Sequence, residues 1–467
     1  MQVEISGGIK IIEPTQEILR WANDNLIVDN PLYKQLKVMG KDDTIRRRHV
    51  PETLKVYSTR GLSLTLPFGV LHAIWPLIKN HHITLDFNHT EDITVKDNEP
   101  CLPPFDYQEK AIQAMIKAKG GVLVSSCGSG KTFMGIEIAR RIGKKTLWLC
   151  HTGDLLRQAR DDFKKQYPDI EIGLTTEGEL NIGRDITIST VQTLVNIDPD
   201  LYKNEFEVVI CDECAHVVST PTKMQMFGKI LSNISARYKY GLTATPQRSD
   251  GMIKTMYAYI GCNPQGEFAP TYKIDRTEVN TITAIHQKFE INSGYDMFKM
   301  YELYDSSGMI NYNTLISELT KNVERNAKIC DNIIKMQQEG RKQVVLCSRV
   351  EHCEQLVQDL QQKGINAVLC VGKVSNKKRS EILNGLNWDV LVATYALLKE
   401  GISIKELDTL HMATPIKDPA TVVQCAGRIE RYLPNKKTPI VFDYVDVDIP
   451  YCEKAYNYRR RALKRRF

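Results

Sequence analysis

From residue 107 to about 262, short apolar runs alternate with segments whose apolar positions recur at helical spacing. The runs lie at 121–125, 146–150, 186–189, 208–211 and 238–242. That alternation predicts a parallel sheet wrapped by helices. The rhythm breaks over 264–320, where Pro264, Gly266, Gly294 and Gly308 punctuate the chain. It resumes with a helical pattern at 322–340, a strand run at 343–347, a helical pattern at 353–363, and strand runs at 367–370, 389–393 and 438–442. A second α/β domain of similar size is therefore expected.

Residues 1–98 differ in kind. A strand-like start over 3–12 precedes helical spacing over 17–26. Runs at 54–57 and 62–66 then alternate like strands about a turn at 58–61. This predicts a small α+β domain, closed off by the Pro-rich stretch 97–104. The expected organisation is 1–98 as an accessory domain, 99–263 as the first α/β domain and 264–320 as a linker or insertion. Residues 321–450 form the second α/β domain and 451–467 a basic helix or tail.

A chain of 467 residues exceeds one ordinary core. The apolar run at 69–77 is far short of a membrane span. Twelve scattered cysteines without a paired framework suit a reducing cytoplasm. The net charge of +6 is carried by 451–467, which hold seven Lys/Arg against Glu453. Within that tail Tyr451, Ala455, Tyr458 and Ala462 form a weak apolar stripe on a basic helix. A docking helix with solvated charges and a DNA contact are both consistent with it. The triplet Arg46, Arg47 and Arg48 has the same two readings, a solvated surface or a phosphate contact.

Two stretches carry chemistry. After the apolar run at 121–125 come Ser126, Cys127, Gly128, Ser129, Gly130, Lys131 and Thr132, and then a helical pattern. Glycines there let backbone N–H groups approach an anion, and the helix N-terminus adds partial positive charge. Lys131 would reach the β/γ-phosphates of a nucleotide and Thr132 would sit on Mg²⁺. Ser125 departs from the strict motif, which has Gly there. The second stretch is the apolar run 208–211, ending in Asp212 and Glu213. It places two carboxylates at a sheet's carboxyl edge. Asp212 would hold Mg²⁺ through its water shell and Glu213 would accept a proton from the attacking water. Cys211 and Cys214 form a Cys-x-x-Cys with no second pair, which argues against zinc or a disulfide.

Together these stretches resemble the superfamily 2 helicases and translocases, and further segments match that family in order over about 100–445. Such loops commonly lack the first Gly, which accommodates Ser125. Gln108, after Phe105 and Tyr107, resembles the adenine-reading glutamine. Thr152, with Leu155 and Gln158, resembles the first nucleic-acid-contacting motif, although His151 stands where Pro is usual. Ser189, Thr190 and Gln192 resemble the second. Thr243 and Thr245 resemble the motif coupling hydrolysis to nucleic-acid contact. Arg349 matches motif IV, and Thr394 with Gly401 matches motif V, where Ser403 replaces the usual Asp. Gln424, Arg428 and Arg431 match the motif whose arginines cross the interdomain cleft.

The resemblance implies two RecA-like parallel-sheet domains forming an α/β helicase core, with ATP and Mg²⁺ as cofactors. It implies catalytic roles for Lys131, Asp212, Glu213, Gln424, Arg428 and Arg431. It implies nucleotide contacts by Gln108, Cys127, Gly128, Ser129, Gly130, Lys131, Thr132 and Gly401, with Thr132 and Asp212 on the metal. Nucleic acid falls to Thr152, Ser189, Thr190, Gln192, Arg248, Arg349 and Thr394. Arg248, Asp250 and Gly251, with Asn30, Pro31, Leu32 and Tyr33, resemble the XPB-like branch and phage branch-migration enzymes of the UvsW type. The expected partner is forked, branched or double-stranded DNA, alongside replication or recombination proteins and without a membrane. An RNA helicase and a non-enzymatic scaffold are the competing classes.

Overall fold

The structure, a computed structural model, describes residues 1–464 apart from 127, 177, 219, 245–251, 280, 305–307, 386 and 401–403. The chain forms two compact units, Met1–Val279 and Asn280–Phe467.

The first unit opens with a small α+β domain. Strands β1 (Gln2–Ile5) and β2 (Gly8–Ile12) pair antiparallel, and β3 (Ile27–Asp29) pairs with β4 (Thr53–Lys55). With β5 (Ser58–Arg60), β6 (Ser63–Pro67) and β7 (His82–Leu85), the larger sheet runs β5-β6-β2-β1-β7. The stretch expected as a turn, 58–61, is thus largely a strand, because Ser58–Arg60 folds back antiparallel on β6.

A parallel sheet follows. Its strands are β8 (Gly120–Val124), β9 (Thr146–Cys150), β10 (Ile172–Thr175), β11 (Ile186–Thr190), β12 (Val208–Asp212), β13 (Tyr238–Thr243) and β14 (Tyr272–Lys273). The spatial order is β10-β11-β9-β12-β13-β8-β14. Apolar strands buried on both faces are what helices covering both sides of a parallel sheet require. Val209 and Cys211 of β12 face one core while Val208 and Ile210 face the other.

The second unit holds β15 (Ile285–Ile291), β16 (Gln343–Cys347), β17 (Ala367–Cys370), β18 (Val390–Thr394), β19 (Thr409–Met412) and β20 (Ile440–Asp446). Their order is β15-β20-β19-β16-β18-β17, all parallel. The molecule is therefore α/β with two RecA-like domains behind an α+β domain. The stretch 264–320, expected as a linker or insertion, supplies β14 to the first sheet and β15 to the second. Among the described residues no helix is long and apolar enough to cross a membrane.

The last helix, Pro450–Lys464, docks on the second sheet through Arg459, which is fully buried against Asp443 of β20 at 2.7 Å. Removing one partner of such a pair would strand a charge in the core, at a cost of about 3–5 kcal/mol.

The small domain is welded to the first sheet. One apolar core runs from Ile9, Ile11 and Leu64 to Phe227, Ile230 and Met256. The backbones approach closely: a Cβ on Gly69 would lie 2.5 Å from the Tyr257 carbonyl oxygen. Lys239 of β13 is buried at this junction, donating to the carbonyls of Gly7 (2.9 Å) and Leu231 (2.8 Å) beneath the Phe68 ring. Burial pushes its ammonium down to about 7 from 10.5. Between those values the unfolded chain binds the proton that the folded chain lacks, so stability rises with pH. Relative to Lys239→Met, the wild type is expected to gain about 1.4 kcal/mol per pH unit as pH rises above 7. Urea titrations of both proteins at stepped pH measure this; a constant gap would show that Lys239 stays charged when folded.

Candidate nucleotide and nucleic-acid sites

Strand order sets the first site. β8 lies beside β13, and β13 beside β12, so Val124, Thr243 and Asp212 end together at one carboxyl edge. Ser125 continues the register by donating its N–H to the Thr243 carbonyl at 3.1 Å. The loop then turns through Gly128 and Gly130, at φ 87° and 82°, into the helix Lys131–Ile142. Gly130 has a second reason to be glycine: a Cβ there would sit 2.5 Å from Gln108 Nε2.

That contact belongs to a brace. Gln108 Nε2 donates to the Ser129 carbonyl at 2.8 Å, and Tyr107 Oη donates to the same oxygen at 3.0 Å. Gln108 Oε1 accepts the Phe105 N–H at 3.0 Å, fixing the amide. Gln108, expected as a base reader, is thus also a support of the loop. The next residue, Glu109, is held by Arg141 of the loop's own helix through two hydrogen bonds of 2.6 and 2.7 Å. Ser129 Oγ closes the turn onto the Ser126 carbonyl at 2.8 Å.

Lys131 is nearly buried, with Nζ 3.6 Å from Glu213 Oε1. Glu213 adopts φ 49°, a left-handed turn immediately after β12, and its N–H donates to Asp212 Oδ1 at 3.0 Å. A non-glycine residue held there costs of order 1–3 kcal/mol. Burial, and then Glu213, hold the Asp212 carboxyl well above its usual range, with Lys131 opposing. Two adjacent carboxylates thus face Lys131 at this edge.

A hard cation fits the oxygen donors there. Asp212 and the Thr132 hydroxyl are oxygen donors of the kind Mg²⁺ takes, and Mg²⁺ is ordinarily held by one or two carboxylates plus substrate phosphates. Among the described residues no cluster of three or more His, Cys, Asp or Glu could cage a metal alone. The buried hydroxyls of Ser125 and Ser126 reach no hydrogen-bond partner among the described residues. Buried polar groups are rarely left so, and both flank the loop that an anion would enter. Sequence reasoning missed Ser126 and the Tyr107 hydroxyl and treated Ser125 only as a departure. Cys211 and Cys214 are buried thiols, the latter against Met256.

The nucleic-acid candidates divide. Thr152 and Thr190 spend their side-chain oxygens capping helices, accepting from Leu155 N (3.3 Å) and Thr193 N (3.1 Å). Ser189 is buried, its hydroxyl donating to the Thr190 carbonyl. Only Gln192 of this set presents an exposed side chain. Thr243 is buried at the end of β13. Cys127, Thr245, Arg248 and Gly401 lie outside the described residues.

In the second unit Gln424 and Arg428 share one face of the helix Pro419–Ile429, four residues apart. Arg431 follows, its backbone bridged to Thr281 and its carbonyl accepting Lys436 Nζ at 3.0 Å. Arg349 precedes the helix Val350–Gln362 and donates to the Asn313 carbonyl at 3.0 Å; Thr394 ends β18, half-buried.

Two parallel sheets, one with a glycine-turn loop beside a strand ending in paired carboxylates, define a P-loop protein with a tandem RecA-like core. The family model described as "Type III restriction enzyme, res subunit" matches residues 102–248, and that described as "Helicase conserved C-terminal domain" matches 324–432. The chain belongs to the superfamily 2 helicases. It is 26% identical over 359 residues to a protein of Acanthamoeba polyphaga mimivirus named as an ATP-dependent RNA helicase, covering 76% of this chain and 66% of that one. It is 32% identical over 193 residues to the DNA 3'-5' translocase XPB2 of Sulfurisphaera tokodaii, covering 40% of this chain and 42% of that one. The chain thus spans just under two thirds of the mimivirus protein and less than half of the archaeal one. T4 UvsW superposes with a TM-score of 0.43 at 20% identity, over all of this chain and 98% of that one.

Gly130→Ala strains a left-handed position and drives a methyl group into Gln108. Nucleotide affinity is expected to fall roughly tenfold or more, with a loss of about 1–3 kcal/mol in stability. Equilibrium binding of a fluorescent ATP analogue and thermal melting check the two effects.

Proposed function

We propose that the protein is an ATP-dependent DNA helicase or translocase that remodels forked or branched DNA in recombination, replication or repair. The observation that carries the enzymatic part is the carboxyl edge of the first sheet, where Lys131 lies between the glycine-turn loop and the Asp212–Glu213 pair. In this reading Lys131 and the loop N–H groups bind the phosphates, and Gln108 and Tyr107 hold the loop in shape. Thr132 and Asp212 hold Mg²⁺, which when bound neutralises charge on the phosphates. Glu213, beside Asp212, orients the attacking water and accepts its proton. Arg428 and Arg431 of the second unit, with Gln424, stabilise the charge that develops on the transferred phosphate. Thr243 and Thr245 couple hydrolysis to the strand contacts assigned to Thr152, Ser189, Thr190, Gln192, Arg248, Arg349 and Thr394.

The 32% identity to a DNA translocase supports DNA as the substrate, and the absence of any base-reading module in the sequence supports recognition by structure. The name carried by the mimivirus relative favours a second reading, an ATP-dependent RNA helicase.

Steady-state ATPase of wild type and Lys131→Ala, compared on single strands, duplex, fork, four-way junction and RNA at one salt concentration, separates these readings. Stimulation is expected to be highest with forked or four-way DNA and abolished by Lys131→Ala. Greater stimulation by RNA would replace DNA by RNA, and no stimulation at all would remove the motor. Arg431→Ala is expected to slow stimulated hydrolysis by roughly 10³–10⁵, read as kcat in the same assay.

A further inference from the structure

The last helix has two unlike faces. Cys452, Ala455, Arg459 and Leu463 recur at helical spacing and are buried against the second sheet. On the opposite face lie Lys454, Tyr458 and Arg461, at i, i+4 and i+7, all exposed; Tyr458 is 52% exposed. The sequence left open whether this helix docks with solvated charges or contacts DNA, and the structure shows a docked face and an exposed basic one.

The exposed face continues into its surroundings. Lys417 lies over the Tyr451 ring, 3.9 Å from its centre. Burial, and then Lys454, hold the Lys417 ammonium below its ordinary value. The Tyr451 ring sits 6.0 Å from that of Tyr312. Tyr312 Oη donates to the Pro415 carbonyl at 2.8 Å and lies 3.5 Å from Ser348 Oγ. Ser348 immediately precedes Arg349, whose guanidinium reaches the carbonyl of Asn313, next to Tyr312. An unbroken run of aromatic and basic side chains thus leads from the Arg349 loop to Arg461.

Among the described residues no acidic side chain pairs with Lys417, Lys454 or Arg461. Glu453, the one acid of the helix, is held instead by Lys288 at 2.7 Å on another side. Like charges gathered without a counter-charge are unfavourable to the folded chain and favourable to a polyanion. Aromatic rings set among them offer stacking to unpaired bases. We infer that Lys417, Lys454, Tyr458 and Arg461 extend the nucleic-acid path of the second unit, holding a single-stranded segment that continues past Arg349. The inference rests on the reading of the protein as a nucleic-acid motor.

Fluorescence anisotropy of a labelled oligothymidylate, titrated with the full-length protein across a salt series, tests it. Each phosphate contact on a single strand contributes about 0.7 to the slope of log K against log salt. The triple variant Lys417→Ala/Lys454→Ala/Arg461→Ala is therefore expected to lower that slope by about 2 and to weaken low-salt binding roughly tenfold or more. Tyr458→Ala is expected to weaken binding about tenfold with the slope unchanged, and Tyr458→Phe to restore it. A control removes three exposed charges elsewhere on the unit, by Lys321→Ala/Lys335→Ala/Lys405→Ala. An equal loss in that control would reduce the effect to net charge and overturn the assignment. So would an unchanged slope in the triple variant while the wild type binds. Failure of the wild type to bind any strand would instead defeat the motor reading on which this one stands.

Discussion

The geometry of the first site hangs on one backbone carbonyl, that of Ser129. Two donors from another helix, the Gln108 amide and the Tyr107 hydroxyl, converge on it. A peptide plane pinned from one side fixes the direction in which its neighbours' N–H groups face. The flanking residues then have little choice: Gly130 must be left-handed and bare, because the Gln108 amide occupies the space a side chain would need. The Arg141–Glu109 pair ties the same two helices together one residue further on. Loop, brace and helix therefore form a closed circuit, and an anion arriving in the loop meets donors already oriented.

The electrostatics of the edge complement that order. The buried Asp212 stands beside the half-buried Glu213 and near Lys131, and its carboxyl is raised first by burial and then by Glu213. Elsewhere two buried arginines meet carboxylates, Arg459 with Asp443 and Arg325 with Asp446, each at 2.7 Å and without exposure, while the buried Lys239 meets backbone carbonyls. Perturbed groups concentrate where a protein binds or reacts.

Much of this was legible in the chain, and the omissions have physical causes. The long apolar strands and their order of motifs are visible because each is buried on both faces. β19 was hidden because its buried His411 breaks the apolar run; the ring is satisfied by Tyr444 Oη and Gln343 Oε1, both at 2.8 Å. β10 was hidden by Gly173, which packs against the backbone of Gly183 and Asn181. β15 is an edge strand only half covered, embedded among glycines and prolines that signal loops. At the site, Lys131, Asp212 and Glu213 were nameable from spacing. The roles of Tyr107 and Gln108 as loop supports were not, since nothing in the linear order brings residues 107 and 129 together.

The junction between the small domain and the first sheet has an implication for how the molecule is taken apart. The Pro-rich stretch at 97–104 looks like a place to cut, yet one apolar core joins the residues on either side of it. Chain connectivity and cohesion are separate properties there. A protease nicking that stretch would leave two polypeptides and one particle, which would still migrate together until denaturant parted them.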